Sequence, residues 1–171
     1  QPDVMRGEET QLLGLGNFSG GQTVCMPGTH SKWVSLDGRR VTGFTTFLTG
    51  ELFNLFSTNS LLRHSVDPTA RVTQDDADFL QACRDLTGAP DQLPARLFSI
   101  RAASLLKGLT PPRASAVLSG TLIGAEIGAA RKSFPAGNLI LVGSGQLGKL
   151  YEAALPMAGF IVETADAEVL V

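Results

Sequence analysis

Three short strand-like segments near the start of the chain constrain its fold more than any other feature. They occupy residues 23–27, 31–36 and 40–44 and contain many apolar and β-branched side chains. Asp37-Gly38 separates the last two, and an Asp-Gly pair between strand-like segments is a strong hairpin signal. The sequence therefore predicts a β-meander of three strands.

The remainder of the chain predicts helices followed by a strand–helix–strand unit. Residues 138–143 form a continuous apolar run, typical of a strand in a parallel sheet, and residues 160–164 predict a second buried strand. Thr110-Pro-Pro112 is a helix cap followed by proline at the first helical position, and it introduces a long helix over 114–131 rich in Gly, Ala and Ser. Further helices are predicted at 3–15, 49–62, from the 73–78 cap to 86, at 93–106 and at 146–158, with a loop at 17–21. This order is typical of an α/β fold.

Composition excludes several functional classes. The 171 residues carry a net charge of −2 and no long basic run, so no nucleic-acid partner is expected. No apolar stretch reaches the roughly 18 residues that span a bilayer, so no membrane partner is expected. No signal peptide is visible, and we expect a cytoplasmic protein.

Cysteine and histidine are scarce. Cys25 and Cys83 are too few for a disulfide framework, which favours a reducing compartment. Together with His30 and His64 they show no metal-ligand spacing, so no metal site made of protein ligands is predicted.

The turn between the first two strands has the composition of an anion site. It reads Gly28-Thr29-His30-Ser31-Lys32, which combines an accessible backbone with hydroxyl donors and a positive charge. Such a turn suits a phosphate group. The alternative is an ordinary β-turn, since turns favour these residue types in any case.

Two acids precede this turn. Glu8 and Glu9 follow Gly7, and either carboxylate could act as the general base that takes a hydroxyl proton during phosphoryl transfer. Acids are also common at a helix N-terminus, where the helix dipole favours them. From these residues alone the structural interpretation is preferred.

The segment Gly143-Ser-Gly-Gln-Leu-Gly148 matches the dinucleotide-binding pattern G-x-G-x-x-G. It follows a predicted strand and opens a predicted helix, and Glu163 lies 20 residues after Gly143, where a ribose-binding acid is expected. The upstream meander disagrees with a βαβ series. Two other interpretations are a close-packed strand-to-helix turn and a turn that holds adenosine.

Taken together, these blocks resemble the 2-dehydro-3-deoxygalactonokinase family. The resemblance rests on Arg6-Gly-Glu-Glu-Thr-Gln-Leu-Leu-Gly14, Pro27-Gly-Thr-His-Ser-Lys-Trp-Val34 and Thr49-Gly-Glu-Leu-Phe53. The glycine-rich blocks Leu118-Ser-Gly-Thr-Leu-Ile-Gly-Ala-Glu126 and Leu141-Val-Gly-Ser-Gly-Gln-Leu147 also fit, in the right order. The resemblance covers nearly the whole chain.

The resemblance implies one half of an enzyme of the sugar kinase, Hsp70 and actin superfamily. The fold would be a ribonuclease-H-like ATPase half with an N-terminal three-strand meander, a helical insertion at about 65–110 and a strand–helix–strand unit. The activity would be ATP-dependent phosphorylation of 2-dehydro-3-deoxy-D-galactonate at its 6-hydroxyl, with Mg²⁺ bridging the phosphates. The superfamily's first phosphate motif, Asp-x-Gly-(Ser/Thr)-Thr, is not present. The chain is therefore expected to be the C-terminal domain, to need an N-terminal domain as its partner, and to have little or no kinase activity alone.

The resemblance also implies roles for individual residues. In related sugar kinases the aspartate of a Gly-Asp-Gln motif is the base, and Glu8 stands in that place, with Glu9 as the alternative. Gly28, Thr29, His30, Ser31 and Lys32 would bind phosphate. Arg6 and Glu51 would contact the sugar acid. Adenosine would be held by Gly120, Gly124, Gly143, Ser144, Gly145 and Leu147. Oligomeric state is open, with a homodimer as the common default.

Two other functions compete with the kinase hypothesis. One is a dinucleotide-binding oxidoreductase fragment, which rests on the Gly143–Gly148 pattern and Glu163. The other is a non-catalytic binding module.

Overall fold

The computed structural model describes residues 2–16 and 20–166, which form a five-stranded mixed sheet with helices on both faces. The strand order is β3-β2-β1-β4-β5. Pairing is antiparallel from β1 to β2 and from β2 to β3, and parallel from β1 to β4 and from β4 to β5. The strands are β1 Gly21–Met26, β2 Ser31–Asp37, β3 Arg40–Phe47, β4 Gly137–Val142 and β5 Phe160–Ala165.

The predicted meander is confirmed. Val24 pairs with Val34 and Cys25 with Trp33, so side chains alternate between the two faces of the sheet. Cys25 and Trp33 lie in the larger core with the central helices, whereas Val24 and Val34 lie in the smaller core beneath the N-terminal helix. Strand β3 continues to Phe47, beyond the predicted end at 44.

Six α-helices occur in the described ranges. The longest, α5, begins at Pro111 after Thr110, as predicted, and nearly all of its side chains are buried. At the start of α3 the side chain of Asp76 accepts hydrogen bonds from two backbone amides, so this acid is the N-cap within the predicted 73–78 segment. The helices are α1 Glu8–Gly14, α2 Thr49–Asn59, α3 Ala77–Gly88, α4 Leu93–Lys107, α5 Pro111–Ala130 and α6 Gly145–Ala154.

Helices α3 and α5 pack backbone to backbone. A Cβ atom added at Gly120, Gly124 or Gly128 would lie only 2.3, 2.5 or 2.6 Å from a carbonyl oxygen of α3. Glycine has no side chain, so another backbone can approach the helix closely at these positions. The partner is α3, and this packing requires glycine at each of the three positions.

Several predicted elements differ in extent. Helix α1 starts at Glu8 rather than at residue 3. Helix α2 ends at Asn59 and is followed by a 3-10 turn at Leu61–His64. Helix α6 changes to a 3-10 turn at Leu155–Ala158, where Pro156 cannot donate a backbone hydrogen bond. Part of the predicted loop at 17–21 lies outside the described residues.

The prediction that residues 160–164 form a buried strand is wrong in its burial. In β5 only Phe160 is buried, and Ile161 is 68% exposed. The side chains of β5 are exposed because this strand lies at the edge of the sheet, where it pairs with β4 and with no other described strand. Both cysteines are free and buried. No helix within the described ranges has the length and apolar character needed to cross a membrane.

Candidate functional site

A polar chamber of about 370 Å³ opens at the carboxyl ends of the parallel strands β1 and β4. Three segments that the sequence singled out line it: Glu8 at the start of α1, the hairpin tip Pro27–Gly28–Thr29–His30, and the Gly143–Ser144 turn. In open α/β sheets, ligands commonly bind at the carboxyl ends of parallel strands. The fold therefore brings residues 8, 28 and 143 together.

The hairpin tip is held from outside by the N-terminus of α2. The amide of Glu51 donates a hydrogen bond to the carbonyl of Thr29 over 3.0 Å. A Cβ atom on Gly50 would lie 2.6 Å from the carbonyl oxygen of Gly28, so this contact requires glycine. His30 Nε2 lies 2.5 Å from the carboxylate of Glu51. Glu51, predicted to contact substrate, instead pairs with the tip in this structure.

The side chains of Ser31 and Lys32, which follow the tip, lie on opposite faces of the sheet. Ser31 is the first residue of β2 and lies on the same face as Trp33, so its buried hydroxyl contacts the hydroxyl of Tyr151 at 3.1 Å. Lys32 lies on the other face, 5% exposed, with Nζ 3.6 Å from Glu8. Neither residue lines the polar chamber. The structure thus does not bring these two side chains to the chamber wall, because strand alternation turns them to the two faces of the sheet.

The two acids of α1, Glu8 and Glu9, line different cavities. The carboxylate of Glu8 accepts a hydrogen bond from the Arg6 amide at 2.6 Å and lines the polar chamber. Glu9 accepts from the Gly7 amide and lines a different cavity, beside Leu12. Arg6 is exposed and lines neither cavity.

The environment of Glu8 favours its ionised form. Partial burial opposes ionisation, but the hydrogen bond from the Arg6 amide and the positive charge of Lys32 outweigh it, so the pKa of Glu8 lies below its ordinary value. Glu8 is thus an acceptor facing the chamber.

The turn from β4 to α6 forms the opposite wall of the polar chamber. A Cβ atom on Gly143 would lie 3.4 Å from Cα of Gly148, so the strand and the helix are closely packed. Gly145 has a φ of +62°, which favours glycine. Ser144 precedes the N-terminus of α6, whose free amides and helix dipole attract an anion.

A second, largely apolar chamber of about 290 Å³ adjoins the first, and the two share Gly28 and Leu147. Its walls come from α2, the 70–72 loop, α5 and α6. Of these lining residues, sequence reasoning assigned only Gly28 and Leu147 to a nucleotide site, because the others come together through the packing of distant segments. The lining residues include Phe53, Arg71, Val72, Leu122, Gln146 and Leu150.

Next to the apolar chamber, which Thr49 and Tyr151 line, a buried carboxylate joins four elements. Glu126 of α5 accepts hydrogen bonds from Trp33 Nε1 at 2.8 Å, from the Tyr151 hydroxyl at 2.6 Å and from the Thr49 hydroxyl. Burial raises the pKa of Glu126, and these three hydrogen bonds offset part of that effect. A single acid inside an otherwise small and apolar helix was a signal that the sequence offered.

Two predicted site assignments disagree with the structure. Gly120 and Gly124 face the backbone of α3 and line neither chamber, so their assignment to adenosine is wrong. The dinucleotide alternative disagrees with the sheet, which is antiparallel through β1–β2–β3, and with Glu163, which is exposed on the edge strand. Within residues 2–16 and 20–166, no group of three or more His, Cys, Asp or Glu side chains could hold a metal ion.

Comparison with known proteins gives one consistent family. The model of a family described as 2-keto-3-deoxy-galactonokinase matches residues 1–171. A Rhizobium meliloti (strain 1021) protein named "Probable 2-dehydro-3-deoxygalactonokinase" is 48% identical over 98% of the chain, and the 2-dehydro-3-deoxygalactonokinase of Escherichia coli (strain K12) is 39% identical over 75%.

A solved structure agrees with these relatives. A crystal structure described as a 2-dehydro-3-deoxygalactonokinase protein from Sinorhizobium meliloti superposes on 100% of the chain with a TM-score of 0.95 and 46% identity. The matches cover 56% and 43% of the two relatives and 58% of the crystallised chain. The chain thus spans about half the length of the proteins that it matches.

Proposed function

The chain belongs to the 2-keto-3-deoxy-galactonokinase family, and we propose that it is the C-terminal, ATP-binding half of a sugar-acid kinase. The proposed reaction transfers the γ-phosphoryl group of ATP to the 6-hydroxyl of 2-dehydro-3-deoxy-D-galactonate. The observation that carries the proposal is the polar chamber, where Glu8, the hairpin tip and the Gly143–Ser144 turn meet.

We propose that the half has a ribonuclease-H-like fold. Support comes from the sheet, in which three antiparallel strands are continued by two parallel ones. Helices α3 and α4 make up most of the proposed insertion at about 65–110. The proposed partner is the N-terminal half of the kinase, without which the chain is expected to have little or no activity.

The two chambers match the two ends of a nucleoside triphosphate. In this proposal the phosphates lie in the polar chamber, where Gly28, Thr29 and His30 face Gly143 and Ser144. The base and ribose lie in the apolar chamber, which continues from Gly28 and Leu147. Backbone amides at the tip and at the start of α6 would donate to phosphate oxygens.

Glu8 is the proposed general base. The sugar 6-hydroxyl gives its proton to the Glu8 carboxylate as its oxygen attacks the γ-phosphorus, and the bond to the bridging oxygen breaks to release ADP. Lys32 supports this role because its charge keeps Glu8 ionised and fixes one carboxylate oxygen. Arg6, which is exposed next to Glu8, is proposed to meet the carboxylate of the sugar acid.

The residues fit a magnesium ion that is carried mainly by the phosphates. Mg²⁺ keeps several waters and binds through phosphates and one or two carboxylates. Among the described residues, Glu8 is the acid that lines the polar chamber and is assigned as the base, so protein ligands to the ion are expected from the other half. When bound, the ion would neutralise charge on the phosphates.

The experiment joins this chain to the N-terminal part of the Rhizobium meliloti relative and measures ADP release that depends on the sugar acid. The Glu8→Gln variant should lose activity by about 100-fold or more while still binding ATP. Glu9→Gln is the matched control, because Glu9 faces another cavity, and should retain activity. Sugar-dependent turnover that survives Glu8→Gln would contradict the assignment of the base. The absence of turnover in the parent protein would contradict the proposed activity.

A further inference from the structure

The apolar chamber contains one side-chain amide whose orientation the structure determines. Gln146, in the first turn of α6, lines the chamber together with Arg71 and Val72 of the preceding loop. Its Nε2 lies 2.8 Å from the carbonyl oxygen of Val72. A carbonyl oxygen can only accept a hydrogen bond, so the atom facing it is the NH₂ group of Gln146. This contact therefore distinguishes the NH₂ group of Gln146 from its side-chain oxygen, Oε1.

This contact leaves the side-chain oxygen of Gln146 available. Among the described residues, no hydrogen bond reaches Oε1 of Gln146, whereas Nε2 is engaged by Val72. The side chain of Val72 is 7% exposed and belongs to the main core, which anchors the loop that holds the amide. Gln146, a residue of the chamber wall, therefore carries an unengaged hydrogen-bond acceptor next to a loop that is anchored in the core.

We propose that Oε1 of Gln146 makes the chamber selective for adenine over guanine. Adenine carries an amino group at C6, which donates a hydrogen bond to an acceptor. Guanine carries a carbonyl oxygen at the same position, which places two acceptors against each other and leaves both unsatisfied. The inference rests on the proposed function, because it takes the apolar chamber as the site of the base.

Arg71 is expected to bind both purines without distinguishing adenine from guanine. Its guanidinium is exposed at the chamber and has only donors, so it can pair with a ring nitrogen that both purines share or stack on either ring. Replacing Arg71 is therefore expected to weaken ATP and GTP alike. Discrimination between the two nucleotides is assigned to Gln146.

The experiment is a calorimetric titration of this chain with ATP and with GTP in the presence of Mg²⁺. We expect ATP to bind at least about tenfold more tightly than GTP. In Gln146→Leu the ratio should fall to within about threefold, because the acceptor is lost. Gln92→Leu is the matched control, since the side chain of Gln92 is exposed and hydrogen-bonds its neighbour Asp91 outside both chambers, and should keep the parent ratio. Arg71→Met should lower both affinities and keep the ratio.

The possible results test the inference and the proposed function separately. Equal binding of ATP and GTP to the parent chain, or an unchanged ratio in Gln146→Leu, overturns the inference and leaves the proposed function standing. Gln146→Met, which preserves side-chain length, replaces the leucine variant if circular dichroism shows the latter to be unfolded. Failure of the folded parent chain to bind either nucleotide at concentrations up to about 10 mM contradicts the proposed function itself, and the inference with it.

Discussion

The Nζ atom of Lys32 lies 3.6 Å from a carboxylate oxygen of Glu8, and the lysine side chain is 6% exposed. Lysine is almost never buried to this extent unless it has a charged partner. The pair connects β2 to the start of α1 beneath the polar chamber. The charge of Lys32 acts together with the hydrogen bond from the Arg6 amide to lower the pKa of Glu8.

Replacing Lys32 with methionine should raise the pKa of Glu8. The lysine charge favours the carboxylate, so removing it favours the protonated acid. The measurement is a carbon-detected NMR titration of the Glu8 carboxyl in this chain, assigned with Glu8→Gln. Lys132→Met is the control, because Lys132 is an exposed residue that follows α5. A Glu8 titration that is the same in Lys32→Met and the parent chain would show that Lys32 does not influence it.

Replacing Gly50 with alanine should displace the hairpin tip. The new Cβ would lie 2.6 Å from the Gly28 oxygen and 2.8 Å from Cα of Thr29, and both are backbone atoms. We expect the free energy of unfolding to fall by about 1–3 kcal/mol and ATP binding to weaken. Urea denaturation and titration calorimetry measure the two effects. Gly43→Ala is the control, since no heavy atom lies within 4 Å of its added Cβ. Equal stability of the two variants would argue against the close contact.

Replacing Gly124 with alanine should destabilise the chain and leave its nucleotide affinity unchanged at temperatures where it is folded. The added methyl group would meet the carbonyl oxygen of Cys83 at 2.5 Å, on a face away from both chambers. We expect a loss of about 1–3 kcal/mol, measured by urea denaturation. Gly88→Ala, where space is open, serves as the comparison. Selective loss of ATP binding in folded Gly124→Ala would restore its assignment to adenosine.

Glu126 should make stability depend on pH in a definite direction. Its pKa is raised above 4.5 in the folded chain, mainly by burial, so the folded state binds its proton more tightly than the unfolded state does. Stability should therefore fall as pH rises from about 4.5 through the raised value. The test compares urea denaturation of the parent chain and Glu126→Gln across this range. The glutamine variant should lack this component, and identical pH profiles would refute the assignment.

Local patterns were sufficient to predict the meander, and they singled out the segments that meet in the polar chamber. Asp37-Gly38 and the strand-like segments around it depend on neighbours in sequence, and so do the turns at Gly28 and Gly143. The directions of Ser31 and Lys32 could also have been read from strand alternation, because a buried Trp33 places Ser31 on the same face.

The apolar chamber could not be predicted in this way. Phe53, Arg71, Leu122 and Gln146 come together only through the packing of α2, α5 and α6 around one loop. Phe53, Leu122 and Gln146 each lie in a block that the sequence singled out, but no spacing connects these residues to one another or to Arg71. The choice between Glu8 and Glu9 likewise depended on where α1 sits relative to the sheet, which a single sequence does not specify.

The glycines of α5 restrict how this half can move. Because Gly120, Gly124 and Gly128 recur every fourth residue against carbonyl groups of α3, a shift of either helix along the other by one residue would drive a side chain into a backbone. The two helices cannot slide past one another and must move together as one rigid unit. Any closing motion of this part of the chain would therefore have to carry both helices together.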